Sequence, residues 1–363
     1  MITPPRPRTR RNGIEFQEMI QPMHTIKTLR ERSVLSSVCR RIETSRRALS
    51  LLIPLVVTIG GSIAPPANAD EGGVSFWLPG QYASFAAIAP AVGWSLPMQS
   101  YYYSGSAGAK TTLNRGDTLS LGVDTEFFGQ FFVPTWAPDT TFLGARPVLS
   151  LAAFPGWNQT SAEVGFGPLS ASRSESVTGF GDLYPTAQLF WNQGVHNWMA
   201  YVTGDIPVGS YDPDSLANLG LGHAAIDVGG AYTYLNATTG WEFSATAGVT
   251  YNFENTDTNY TSGVDSHLDL GISRFLSEQL FVGLVGYAYV QLTPDQGQPA
   301  ALGDFEGRTF AIGPQIGYNF DVGGVPIYTN LRGYFEFDVK NRTKGGSAFL
   351  TVSIPLSAPA RTN

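Results

Sequence analysis

The chain has 363 residues, of which only 14% are charged and 41 are glycine. Residues 1–69 carry 11 Lys/Arg against 4 Asp/Glu, which leaves the following 294 residues with 11 against 25, a net charge of −14. So acidic a remainder excludes nucleic-acid binding, which needs a basic face, and a single cysteine, Cys39, excludes an intrachain disulfide.

Arg46 and Arg47 precede an apolar run, ALSLLIPLVVTIGGSIA, which ends at Ala67-Asn68-Ala69. A basic region, an apolar run and an A-x-A site are the parts of a cleaved export signal. Pro54 and the Gly60-Gly61 pair weaken the other reading, a short membrane anchor. Residues 1–69 are therefore expected to be an export signal. SRRALSL lacks most of the twin-arginine pattern, which points to Sec-type export. Met23 is an alternative start, and no lipobox precedes Cys39.

Residues 70–93, DEGGVSFWLPGQYASFAAIAPAVG, are too apolar for a free tail. From there on, helical periodicity is nearly absent and period-two alternation recurs. It predicts about twelve strands, at 94–104, 117–133, 141–153, 180–192, 196–208, 223–235, 241–253, 264–276, 279–292, 308–320, 326–339 and 347–356. NQGVH, NATTG, LSEQ and DVGG read as tight turns. The segments 105–116, 154–179, 209–222, 254–263 and 293–307 read as long loops. Short and long connectors alternate, apart from a short 340–346, so the long loops gather at one end of a meander. Residues 358–363 are left as a short tail.

The stretch GWEFSATAGVTYNFEN decides the architecture. From Trp241 to Phe253 the odd positions are all apolar, and from Glu242 to Glu254 the even ones are polar or glycine. In a soluble β-sandwich such an apolar face packs inward; in a transmembrane barrel it meets lipid and the polar face lines the lumen. Sandwich strands average about 5–6 residues, whereas a tilted crossing takes about 9–11. Most runs here are longer than the sandwich value. Trp241 and Tyr251 lie about 33 Å apart along the strand. At a tilt of about 45° this spans roughly 23 Å, close to the apolar band of about 25 Å between aromatic girdles.

The sequence thus predicts an all-β, closed, antiparallel up-and-down transmembrane β-barrel of about 12 strands over 94–357. An edge left open in hydrocarbon would cost several kcal/mol per unpaired group, so the first and last strands must pair. Twelve tilted strands give a backbone radius of about 12–13 Å. An empty lumen would then be roughly 10–13 Å across, wide enough for one small molecule. Two placements stay open for residues 70–93: a plug in the barrel mouth, or an arm on the periplasmic rim.

Projecting the alternation inward gives the candidate lumen and constriction residues Asp124, Glu126, Arg146, Asp182, Asp205, Asp227, Glu242, Asp265, His267, Asp269, Arg332, Glu336 and Asp338. Charged rings of this kind select permeants in pores; equally, any wet lumen is polar. Arg146 and Arg332 are expected to pair with carboxylates. Tyr101, Tyr103, Phe128 and Phe132 are expected to face inward, where they could give an apolar permeant a stacking path or serve in packing. His196, His223 and His267 fall on separate elements, and no HExxH or serine nucleophile motif accompanies them. No metal-ligand spacing and no phosphate loop is present, so neither metal nor cofactor is expected.

Several segments resemble one family. EGGVSFWLPG, PAVGWSLPMQSYYYSG, GFGDLYP at 179–185, TGDIPVGSYDP at 203–213, GVTYNFE and AFLTVSIPL are similar in order to the transporter family labelled "MetA-pathway of phenol degradation". The resemblance covers about 70–357. It implies a Gram-negative outer-membrane barrel, often encoded near aromatic catabolism, that takes up hydrophobic or aromatic compounds. The partners expected on this reading are outer-membrane lipid, a small hydrophobic or aromatic permeant, and the barrel-assembly machinery during biogenesis. Asp182 and Asp205 lie in the family-like GFGD and TGD motifs, where they could bind a permeant, pin a plug or hydrogen-bond backbone at a bend. The competing expectations are a structural or adhesive barrel acting through its loops and, more remotely, a barrel-embedded lipid hydrolase using His223 or His267.

Overall fold

The computed structural model describes residues 75–112, 118–167, 169–297 and 306–357. The expected export signal and the 358–363 tail lie outside them. Twelve antiparallel strands form the barrel. They are β1 (Gly93–Thr112), β2 (Thr118–Phe132, resuming at Thr135–Ala137), β3 (Arg146–Ala152 and Pro155–Phe166) and β4 (Leu169–Phe180 and Tyr184–Gln193). Then follow β5 (His196–Asp205), β6 (Ala225–Asn236), β7 (Trp241–Asn252), β8 (Asp265–Phe275) and β9 (Leu280–Gln291). β10 (Arg308–Val322), β11 (Val325–Lys340) and β12 (Lys344–Pro355) complete the wall. Each strand pairs with its sequence neighbours, and β12 returns to β1 in a ladder from Ser95–Pro355 to Ser106–Lys344. Closure leaves no open edge across the hydrocarbon, as the bilayer demands.

The burial pattern carries the inversion. On β7, Glu242 and Thr250 are 1% and 0% exposed while Trp241 and Phe243 are 43% and 40% exposed. Large apolar side chains thus cover the outside of the wall and polar ones fill the inside, the reverse of a soluble domain. This places the protein in the outer membrane. The tight turns at 194–195, 237–240, 276–279 and 323–324 and both barrel termini share one end, where the Trp94 amide donates to Ser357 Oγ and the Leu356 amide to the Trp94 carbonyl. Short turns belong to the periplasmic side. At the β10–β11 turn, Gly323 and Gly324 both have positive φ (63° and 86°), the backbone of a two-residue type I′ hairpin.

The wall departs from the sequence reading between β3 and β4. Residues 154–179, expected as a long loop, form the outer half of a hairpin in which Pro155 pairs with Phe180 and Phe166 with Leu169. β1 likewise runs on to Thr112. Both extensions reach past Lys344, where β12 begins, and the apolar alternation disappears there. The inner face of the hairpin meets the connector after β5, where Asn158 donates to the Asn218 carbonyl and Glu175 accepts the Leu216 amide. β4 also carries a bulge. Between the pairs Ala152–Tyr184 and Pro155–Phe180, residues 153 and 154 oppose 181, 182 and 183. A bulge of this kind re-aims side chains, here Asp182.

Candidate functional site in the barrel lumen

Residues 75–92 lie against the inner wall. At the short-turn end Arg146 Nη1 donates to the Pro90 carbonyl at 2.9 Å. At the opposite end Arg342, in the β11–β12 connector, donates from Nη2 to Ser75 Oγ. In between, backbone amides of the segment donate to wall side chains: Gly80 and Tyr82 to Asp269 at 2.8 and 3.2 Å, Phe85 to Glu242 at 2.9 Å, Ala87 to Thr233 at 3.0 Å. Arg332 donates to the Gly80 and Gln81 carbonyls at 3.2 and 2.7 Å, and Tyr334 also donates to Gly80. An irregular backbone inside a membrane protein must find partners in the protein around it. These inward polar groups are the partners.

Side chains of the segment pack as well. Trp77, 1% exposed, stacks on His267 and neighbours Tyr82 and Tyr201. Phe85 meets Phe275, Phe281 and Tyr328. Tyr82 accepts a hydrogen bond from Gln188 Nε2; burial, helped by the Asp269 carboxylate, pushes its phenol up to about 12, so it stays neutral.

The inner wall has two sides. From β6 to β11 it is rich in polar groups, interleaved on β9 with the buried rings of Phe281, Tyr287 and Tyr289. Asp227 accepts from Tyr201 and Thr250 at 2.7 and 2.6 Å and lies 3.1 Å from His267 Nε2. Glu242 accepts from Ser273 at 2.8 Å, and Asp265 from Asn252 at 2.8 Å. Glu336 takes Tyr103, Tyr287 and the Gly345 amide. From β12 through β4 the wall is aromatic: Phe349, Tyr101, Phe127, Phe154 and Tyr184 follow one another at centroid distances from 4.5 to 6.3 Å, and Phe131 packs on Phe154 at 4.4 Å. Phe127, Phe131 and Tyr184 in this row are only half-buried.

The β5–β6 loop, residues 206–224, folds over the outer end of this row. Asp182, aimed by the bulge, accepts the Gly209 and Leu221 amides at 2.7 Å each. Asn158 donates to the Asn218 carbonyl, and Ala217 and Leu219 are buried. Gly181 leaves the space that the Phe154 ring occupies, since a Cβ there would lie 2.0 Å from it. The two family-like motifs therefore meet: Leu183 and Ile206, one residue beyond each aspartate, exchange backbone hydrogen bonds.

Several expectations are corrected. Asp124, Glu126, Phe128 and Phe132 face outward, on the exposed side of β2; the inward residues are Val123, Thr125, Phe127 and Phe131. Large aromatics occupy both faces of β2, so alternation could not set its phase, and the two carboxylates lie in its water-bathed outer part. Asp338 sits exposed at the rim, paired with Arg308. Arg146 donates to a carbonyl of residues 75–92, and Arg332 to two such carbonyls and to Asn330 and Thr351, rather than to carboxylates. The other candidates, Asp182, Asp205, Asp227, Glu242, Asp265, His267, Asp269, Arg332 and Glu336, with Tyr101 and Tyr103, point inward. The hydroxyls that meet the His267–Asp227 pair are those of Tyr201 and Thr250 rather than a serine. His223 Nδ1 faces its neighbouring Ala224 carbonyl.

The fold is similar to the COG4313 outer membrane channel from Pseudomonas putida F1, at a TM-score of 0.52 and 16% identity, covering 76% of this chain and 99% of that one. The transport unit of the autotransporter AIDA-I from Escherichia coli (8% identity, 81% and 99% covered) and a Pseudomonas aeruginosa FadL homologue (10%, 80% and 98%) score 0.42 and 0.35 and add nothing to the assignment. Comparison with the curated proteins finds no match. The family model described as "Putative MetA-pathway of phenol degradation" matches residues 86–352. This outer-membrane barrel belongs to that family.

Proposed function

We propose that the protein is a passive outer-membrane channel for small hydrophobic or aromatic molecules, with residues 75–90 as its plug. One observation carries this reading: from Gly80 to Ala87 the segment hangs its backbone on the β6–β11 half of the wall, and the bond described on the aromatic half is that of Arg146 to Pro90 at the short-turn end. A permeant ring can then stack along Phe127, Phe131 and Tyr184, each contact adding the modest preference of aromatic pairs. Passage requires the plug to shift but leaves the closed wall intact. No energy-coupling motif is present in the sequence, so consumption of the permeant inside the cell drives net uptake.

Growth of a deletion strain on limiting aromatic carbon sources, with and without the intact gene, tests this. Slow growth restored by the gene is expected; equal growth on every source contradicts it. Liposome swelling with phenols, alkanes and sugars separates a channel from a structural or adhesive barrel, which would pass none of them.

A further inference from the structure

Asp205 stands apart from every other inward carboxylate described above. Asp182, Asp227, Glu242, Asp269 and Glu336 each accept at least two hydrogen bonds, and Asp265 accepts from Asn252. Asp205 is 5% exposed, and neither carboxyl oxygen has a hydrogen-bond partner among the described residues. Its flanks explain why. The register through Leu183–Ile206 and Thr186–Thr203 sets Tyr184 beside it on β4, and Ala225 lies opposite on β6. The Tyr184 hydroxyl makes no hydrogen bond to it, and the Ala225 methyl group offers no donor. Burying a carboxyl in this way is unfavourable, and an apolar residue of similar size would hold the strand better.

The same place accepts an aromatic ring. Phe76 of the plug lies against Tyr184 at a centroid distance of 5.8 Å, and Phe154 stacks near Tyr184 at 6.3 Å. When the plug shifts, Phe76 vacates a position bounded by Tyr184 and flanked by an acceptor that lacks a donor. We propose that Asp205 is the specificity-determining residue of the aromatic row, taking the O–H or N–H of an aromatic permeant whose ring replaces that of Phe76. This rests on the channel reading above and narrows it: the preferred permeants are aromatics bearing a hydrogen-bond donor, such as phenols or anilines, rather than bare hydrocarbons.

The test compares 2-naphthol with 2-methylnaphthalene, which match in shape and differ in the donor. Binding to the full mature chain in nanodiscs is measured by fluorescence, with empty nanodiscs subtracted. The wild type should prefer 2-naphthol by about fivefold or more, the scale of a net hydrogen bond to a buried acceptor. Asp205→Leu, which removes the partnerless carboxyl and so should fold, is expected to bind the two probes within about twofold. Asp205→Asn keeps the shape and should lower 2-naphthol binding without changing 2-methylnaphthalene binding. A wild type that binds both probes equally overturns the role of Asp205, as does a 2-naphthol preference that survives both variants. A wild type that binds neither probe overturns the aromatic route itself, and the role of Asp205 with it.

Discussion

Trp77 lies flat on His267, ring centroids 3.5 Å apart and planes 12° from parallel. His267 is in turn fixed by Asp227 and Tyr201, so the indole of the plug rests on a ring that the wall holds still. The two residues come from segments nearly 200 positions apart. Their contact ties the plug to β8 through its largest side chain.

Trp77→Ala should therefore loosen the plug. Truncating a buried tryptophan costs about 3–5 kcal/mol, here charged mainly to the docked state of residues 75–90. Openings in single-channel recordings are expected to become at least about tenfold more frequent, whereas Trp77→Phe should stay close to wild type. Unaltered recordings for the alanine variant would contradict the anchoring role.

Gly181→Ala should destabilise the barrel at the β4 bulge. The added Cβ would lie 2.0 Å from two atoms of the Phe154 ring, itself packed on Phe131 at 4.4 Å. Overpacking of this kind costs about 1–3 kcal/mol. A lower midpoint in urea unfolding from lipid vesicles checks it, and the double variant with Phe154→Ala should recover part of the loss.

The lipid-facing side can be probed by depth. Ala245 lies near the middle of β7 and Tyr251 near its outer end, both on the outward face. Arginine at a lipid-exposed midplane site costs about 2–4 kcal/mol, and near an interface about 0–1. Ala245→Arg should therefore weaken folding into vesicles far more than Tyr251→Arg. Equal effects would place this face away from lipid.

How much of this was legible in the sequence depended on where each residue sits relative to the membrane. Within the bilayer, lipid on one side and a polar lumen on the other imposed strict alternation, and β7 could be read residue by residue, from Trp241 to Phe253. Above it the rule lapses. SASRSESVT on β4 is polar on both faces, so a twelve-residue strand segment, Leu169–Phe180, read as loop. β2 failed differently: Phe127 and Phe131 face the lumen while Phe128 and Phe132 face outward, and no pattern distinguishes the pairs. That an unusual lumen wall could be aromatic on one side was invisible without knowing that β12, β1, β2, β3 and β4 are neighbours. The Asp182 loop contacts depend on a bulge, and a single extra residue leaves no compositional trace.

The central claim is that residues 75–90 fill the lumen and close it. Deleting residues 71–90 and recording single channels beside the intact chain tests this most directly. The account predicts a clear rise in unitary conductance, because the wall stays closed by its own ladder while the plug is gone. An unchanged conductance would contradict it.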